Sequence, residues 1–233
     1  MNPAWTESLW KIVYPPRCLL CSSLLPPGFL EPLCLTCKPA FSRAGVLCSR
    51  CEQLVETPEK CTCLPLSPLQ GLYALSWYQG DWRTMLHRLK YEGCRHLARP
   101  LGAWLGMLLT RETPWFLQAV VPLPLHRSRE TQRGYNQSAL IARYTARAMG
   151  LPQLHLLKKI KPTPAQAGLS KLERRANVSG VFALAGRNNK PGPVLLIDDI
   201  YSTGATLKEA AWLLNDRGYT VFAAVAAYNP RLL

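Results

Sequence analysis

The chain lacks any stretch that could cross a bilayer. Its apolar runs at 101–109 and 221–227 are the length of a core element, well short of the roughly 20 residues a membrane helix needs. The N-terminus lacks the apolar centre and small-residue cleavage site of an export signal, because Glu7 and Lys11 interrupt Trp5, Leu9, Trp10 and Ile12. Residues 1–16 read instead as a short amphipathic helix that stops at Pro15-Pro16, and a cytoplasmic protein is the expectation. Acids are scarce too. There are 14 Asp and Glu against 28 Lys and Arg, a formal charge of +14, and across 127–175 only Glu130 and Glu173 stand among eleven basic residues. That balance favours a phosphate-rich ligand or nucleic acid as partner; a solvated basic surface is the plainer alternative.

Cysteine, by contrast, is abundant and ordered. Eight of nine fall in pairs: Cys18 and Cys21, Cys34 and Cys37, Cys48 and Cys51, Cys61 and Cys63. Each pair can grip one side of a tetrahedral zinc ion, so the spacing predicts two structural Zn²⁺ sites. Disulfides would need an oxidising compartment that nothing here points to. Cross-braced pairing uses the same residues, but spacers of twelve and nine residues within each sequential set leave room for a small ribbon. Sequential pairing is therefore preferred. Eight thiolates against two divalent ions lower the net charge by four, to +10, which is still basic. Cys94 stands outside the pattern.

The chain is organised around residues 194–206. Four apolar residues, Val194 to Ile197, do not alternate with polar ones and read as a strand buried on both faces; 207–214 has helical spacing. Between them lie Asp198 and Asp199, then Ser202, Thr203, Gly204, Ala205 and Thr206. Two adjacent acids at the end of a buried strand need a cation or a hydrogen-bonding ligand. A loop of small residues opening a helix suits an anion. Acids for a sugar diol or Mg²⁺, followed by a phosphate cradle, fit a ribose 5-phosphate. A strand with exposed end carboxylates and a capped helix is the simpler reading, but capping accounts for one hydroxyl and leaves the acids unexplained.

Elsewhere, periodicity predicts a strand at 72–78, helices at 81–91 and 96–110, a strand at 119–122, an arginine-rich loop to 137, a helix at 138–149, a short strand at 154–157 and a last strand at 219–228. Lys90, at a helix end, either caps carbonyls or reaches a phosphate. Loops leaving the carboxyl ends of parallel strands form the ligand crevice of such a sheet. His126, Arg127, Arg129 and Arg133 are thereby candidate pyrophosphate or nucleic-acid contacts, with Tyr135 as a stacking surface. Arg174 and Arg175 join them from a long polar segment, 158–178, that reads as a loop able to fold over a ligand. Only Asn229 to Leu233 follow the last strand, so a cover over a bound ligand would come from upstream of the core or be absent. Residues 65–68 read as a linker, dividing the chain into an N-terminal helix with a double zinc-ribbon module, 1–68, and an α/β domain, 69–233.

The strand, the two acids and the Thr203-Gly204-Ala205-Thr206 loop resemble the signature of type I phosphoribosyltransferases. The resemblance implies a parallel-sheet fold, with Asp198 and Asp199 on the ribose hydroxyls and Ser202 to Thr206 on the 5-phosphate of phosphoribosyl pyrophosphate, accompanied by Mg²⁺. Together with the cysteine pairs, Leu89-Lys90-Tyr91-x-Gly93, Val121-Pro122-x-Pro124-Leu125-His126, Arg133-Gly134-Tyr135-Asn136-Gln137 and Thr163-x-x-Gln166-x-x-Leu169, the chain resembles the ComF competence family over nearly its whole length. That resemblance implies a role in natural transformation and DNA uptake, with single-stranded DNA and competence-machinery proteins as partners. Transfer of the phosphoribosyl group onto a base is the alternative it leaves open.

Overall fold

The computed structural model describes residues 15, 17–26, 32–37, 43–48, 51, 67–162, 180–185 and 190–229. The expected helix over 1–16, Cys61 and Cys63, and the 163–178 part of the polar segment with Arg174 and Arg175 lie outside the described residues. Among the described residues the elements run β1 (Arg43–Leu47), β2 (Gly71–Trp77), α1 (Gly80–Tyr91), α2 (Ala98–Glu112), β3 (Ala119–Pro122), α3 (Arg127–Arg133), α4 (Gln137–Met149), β4 (Leu157–Lys159), β5 (Phe182–Leu184), β6 (Pro193–Tyr201), α5 (Ala205–Asn215) and β7 (Thr220–Tyr228).

Five strands form one sheet in the order β1-β2-β7-β6-β3. The contacts β2–β7, β7–β6 and β6–β3 are parallel, and β1 runs antiparallel to β2 at the edge. The apolar runs have no polar face because both faces of the sheet are covered. Leu195 and Ile197 of β6 point with Tyr73, Leu75 and Val120 into a cluster under α1, α2 and α4. Val194 and Leu196 point the other way, with Leu72, Ala74 and Val121, under α5 and the antiparallel pair β4–β5. The architecture is thus the expected α/β one, a mostly parallel sheet between helical layers.

The cysteine-rich segment is built into this body. Cys18, Leu19, Leu25 and Leu33 are buried in the first cluster, and Leu47 of β1 is fully buried in the second. Gly102 and Gly106 let α2 lie close on α4, since a methyl group at either would press on the backbone of Ile141 or Thr145. The Thr145 hydroxyl donates to the Gly102 carbonyl across that contact, at 3.1 Å. This close pairing fixes where α4 begins, and its first turn belongs to the site described next.

Three expectations change. The loop after β3 contains a helix, α3, and the strand placed at 154–157 lies at Leu157–Lys159. β6 also continues through the two acids to Tyr201.

Candidate functional site

The segment from Arg133 to Gln137 is a clasp. Gly134 ends α3 in the left-handed region, at φ 78, where a side chain costs about 1–2 kcal/mol. Tyr135 then turns inward, and its hydroxyl donates to the Leu89 carbonyl near the end of α1. Asn136 caps α4 by accepting from the amides of Ser138, at 2.9 Å, and Ala139, at 3.3 Å, while its amide nitrogen donates to the Leu123 carbonyl at 3.0 Å. Arg133 donates to the Gln137 side chain. One short segment therefore sets the end of α1, which carries Lys90, and the start of α4, which carries Ser138, against the loop that leaves β3.

Those two residues meet the two acids. Ser138 Oγ donates to Asp198 Oδ1 at 2.8 Å, and the Asp199 amide donates to the same oxygen at 2.9 Å. Asp199 is 4% exposed; its Oδ1 accepts from the Ile200 amide at 3.0 Å. Its Oδ2 lies 3.2 Å from Lys90 Nζ, an ion contact without the angle of a hydrogen bond, so that oxygen is buried with no hydrogen-bond donor. The Asp199 carboxylate pushes Lys90 above the usual lysine range and keeps it charged against the cost of burial. Burial first, and then the charge of Asp199, pushes Asp198 up to about 7.

Beyond the acids, β6 passes into α5 through the expected phosphate loop. Gly204 stands before the first residue of α5 with φ 67, and a Cβ there would overlap the Tyr201 phenol. Thr203 Oγ1 accepts from the Ala205 amide at 3.4 Å. The opening turn of a helix leaves amides without intrahelical acceptors and concentrates positive potential. Ser202, Thr203, Gly204, Ala205 and Thr206 line a cavity of ≈ 130 Å³ together with Asp198, Asp199, Lys90, Ser138, Arg129, Arg133 and Lys159. Pockets that enclose a drug-sized molecule hold roughly 300–1,000 Å³; this one is scaled to a smaller group. An anion at the helix start and hydroxyls at the acids, with a second anion near Arg129 and Lys159, would use all its polar walls. Burial, and then Arg129 beside it, lowers the Lys159 ammonium below the usual lysine range.

Of the expected basic contacts, Arg129 and Arg133 line the cavity, while exposed Arg127 and the half-buried His126 do not. His126 instead caps α3, accepting from the Ser128 amide at 3.3 Å. Tyr135 cannot stack a base: it is 7% exposed, and the Arg95 guanidinium sits 4.6 Å from its ring centre. The exposed aromatic ring near the cleft is Tyr91, with Arg133 5.2 Å from its centre. Ser138 and Lys159 were not singled out from sequence. The Asn136 cap signal marks the start of α4, and so the turn on which Ser138 stands, but only the sheet order aims that turn at Asp198.

A second candidate site lies in the cysteine segment. The sulfurs of Cys18, Cys21, Cys34 and Cys37 are all within 4.8 Å of one another, and Cys21 and Cys34 are 3.6 Å apart. Tetrahedral zinc with Zn–S near 2.3 Å places its sulfurs about 3.8 Å apart, so this set is sized for the ion. These are the four residues of the first sequential set. A hydrogen bond from the Cys37 backbone lowers the Cys34 thiol, while burial raises that of Cys37, so the four thiols do not ionise alike without an ion among them. Of the second set, Cys48 is buried and Cys51 exposed; the other two lie outside the described residues. Among the described residues, no helix is long and apolar enough to cross a membrane.

No protein-family model matches the chain. It is 29% identical over 216 residues to competence protein F of Haemophilus influenzae, covering 82% of this chain and 94% of that protein. It is 26% identical over 225 residues to competence protein ComFC of Bacillus subtilis, covering 86% of this chain and 89% of that one. Against DNA utilization protein YhgH of Escherichia coli K12 the identity is 26% over 223 residues, with 89% and 94% covered. These relatives bear out the resemblance to the ComF competence family. Among solved structures, an adenine phosphoribosyltransferase from Leishmania donovani gives a TM-score of 0.42 at 12% identity, covering 72% of this chain and 86% of that one. The glutamine phosphoribosylpyrophosphate amidotransferase of Bacillus subtilis gives 0.41 at 19%, covering 60% of this chain and 30% of that one, so the chain spans about a third of that enzyme. These likenesses are loose, and the α/β assignment rests on the sheet itself.

Proposed function

We propose that this protein is a cytoplasmic accessory of DNA uptake whose cleft holds a ribose 5-phosphate group, such as that of phosphoribosyl pyrophosphate, and whose basic rim binds single-stranded DNA. The observation that carries this reading is the convergence of two acids, a helix-opening loop and four cations, Lys90, Arg129, Arg133 and Lys159, on one small cavity. The 5-phosphate would sit over the amides of Ser202 to Thr206, and the ribose hydroxyls would donate to Asp198 and Asp199. Arg129 and Arg133, with Arg127, Arg174 and Arg175 outside, would meet further phosphates. The relatives' names, competence protein and DNA utilization protein, support the cellular role. In this reading residues 1–68 carry two structural Zn²⁺ ions on the eight paired cysteines, residues 69–233 carry the cleft, and proteins of the competence machinery are the natural partners.

Mg²⁺ fits this site only as an ion carried on a pyrophosphate ligand. Asp199 already faces an ammonium, so the acids offer the metal no open pair. Bound to the ligand, the ion would supply charge neutralisation on a departing pyrophosphate.

A second reading is favoured by the presence of both acids: a working transferase. The C1–O bond to pyrophosphate would break as a C1–N bond to a base forms, while the acids stabilise positive charge at C1. Calorimetry with phosphoribosyl pyrophosphate, followed by assay of pyrophosphate release with a panel of bases, separates the two. Binding without release is the expected result; release with one base would make the protein an enzyme, and absence of binding would remove the pocket assignment.

A further inference from the structure

The pair Lys90 and Asp199 has an uncommon setting. Asp199 is nearly fully buried on β6, its Oδ2 accepts no hydrogen bond, and the cation against it comes from another element, the last turn of α1. Lys90 is not a loose surface lysine. Leu89 before it is fully buried, and the Leu89 carbonyl is held by the Tyr135 hydroxyl, which fixes the turn that carries it. Only about a quarter of the Lys90 side chain is exposed, and what it shows lines the cavity. Two adjacent acids at the carboxyl end of a parallel sheet ordinarily require a counter-ion. A divalent metal is one solution, but Mg²⁺ demands near-octahedral oxygen ligands at about 2.1 Å. An ion at that distance from Oδ2 would press against the ammonium already there.

We infer that Lys90 is the resident cation of this site, a charge-specificity residue that takes the place of a divalent metal at the acid pair, so that a sugar phosphate binds without one. The inference rests on the sugar-phosphate reading above and adds to it which cation the acids use. Asp199 Oδ2 is buried behind the pair, so the ligand meets the ammonium of Lys90 rather than that oxygen. The ammonium stays in the cavity wall, balancing the acids and facing the ligand. A ligand that brings no metal of its own, ribose 5-phosphate, is then the discriminating probe, because it has no pyrophosphate to carry Mg²⁺.

Calorimetric titration of the whole protein with ribose 5-phosphate, in buffer freed of divalent ions by resin and again with added Mg²⁺, tests this while leaving the protein's zinc in place. The expected result is an affinity that changes less than about twofold between the two buffers. In Lys90→Ala, affinity without Mg²⁺ should fall by about tenfold or more, and Mg²⁺ should restore most of it; Lys90→Arg should remain metal-independent. A misfolded variant would not be rescued by Mg²⁺, so a purely structural role for Lys90 gives a different pattern. Loss of about tenfold or more in the parent protein on removing Mg²⁺ overturns the inference while leaving the sugar-phosphate site standing. No binding in either buffer overturns both.

Discussion

The hydroxyl of Ser138, in the first turn of α4, donates to Asp198 on β6 at 2.8 Å. That bond favours the ionised carboxylate and works against burial and the charge of Asp199, which together hold Asp198 at about 7. Its consequences can be measured by varying pH.

A diol donates to a carboxylate better than to a carboxylic acid, so ribose 5-phosphate should bind more tightly as pH rises toward about 7 and level off above it. Ser138→Ala removes the bond that favours ionisation, so the inflection should move upward. An inflection that stays in place or moves down would break the link between this pair and binding. Calorimetry at half-unit pH steps supplies the profile.

The same carboxyl carries a cost in stability. Folding raises it from an ordinary value near 3.9 to about 7, so the folded chain holds the proton more tightly than the unfolded one. This group's contribution is therefore lost as pH rises from about 4 to about 7. Asp198→Asn should unfold at a higher temperature than the parent at pH 8, with the difference closing toward pH 4. Thermal melts of the two proteins across that range check the sign.

Gly204→Ala should damage the loop twice over. The left-handed backbone at φ 67 disfavours a side chain by about 1–2 kcal/mol, and the added methyl meets the Tyr201 ring. A lower melting temperature and at least about a tenfold loss in ribose 5-phosphate affinity are expected. Retained affinity would mean that the phosphate does not use this loop.

Much of this site was legible in the sequence. The unbroken apolar run 194–197 could only be a strand covered on both sides, and that set two acids and a small-residue loop at the sheet's carboxyl edge. Lys90 was legible only as a choice between two roles, because its partner is 109 positions away in the chain and depends on strand order. The α3 sequence RSRETQR has no apolar stripe and buries no residue, so periodicity had nothing to detect. Tyr135 was misjudged for a related reason: a tyrosine among arginines looks exposed until its hydroxyl is found satisfied by Leu89. β1 escaped notice because five residues among cysteine knuckles acquire strand character only by pairing with β2.

Metal analysis of protein purified without added zinc should find about two zinc ions per chain. Cys34→Ser should lower the content by about one ion. It should also lower the melting temperature of the whole body, since Cys18 and Leu33 share a core cluster with Trp82 and Leu101. Full zinc content in that variant would remove Cys34 from the ligand set.

A labelled single strand should bind with log affinity falling against log salt at a slope of about −2 to −4, since each neutralised phosphate contributes about −0.7. Arg129→Ala and Arg133→Ala should each flatten the slope by about that amount, and phosphoribosyl pyrophosphate should compete with the strand. Fluorescence anisotropy at four salt concentrations tests both parts. Tight binding indifferent to saturating small ligand would move the DNA path to another face.

The placement of β1 bears on any attempt to divide the protein. β2 is flanked by β7 on one side and by β1 on the other, so a fragment beginning at residue 69 would present β2 as a bare edge seven residues long, of which six are buried in the intact chain. Unpaired amides and carbonyls along an apolar strand are a template for edge-to-edge association between copies. In the intact chain β1 covers that edge from Leu72 to Ser76 and moves the open edge to a shorter strand of five residues.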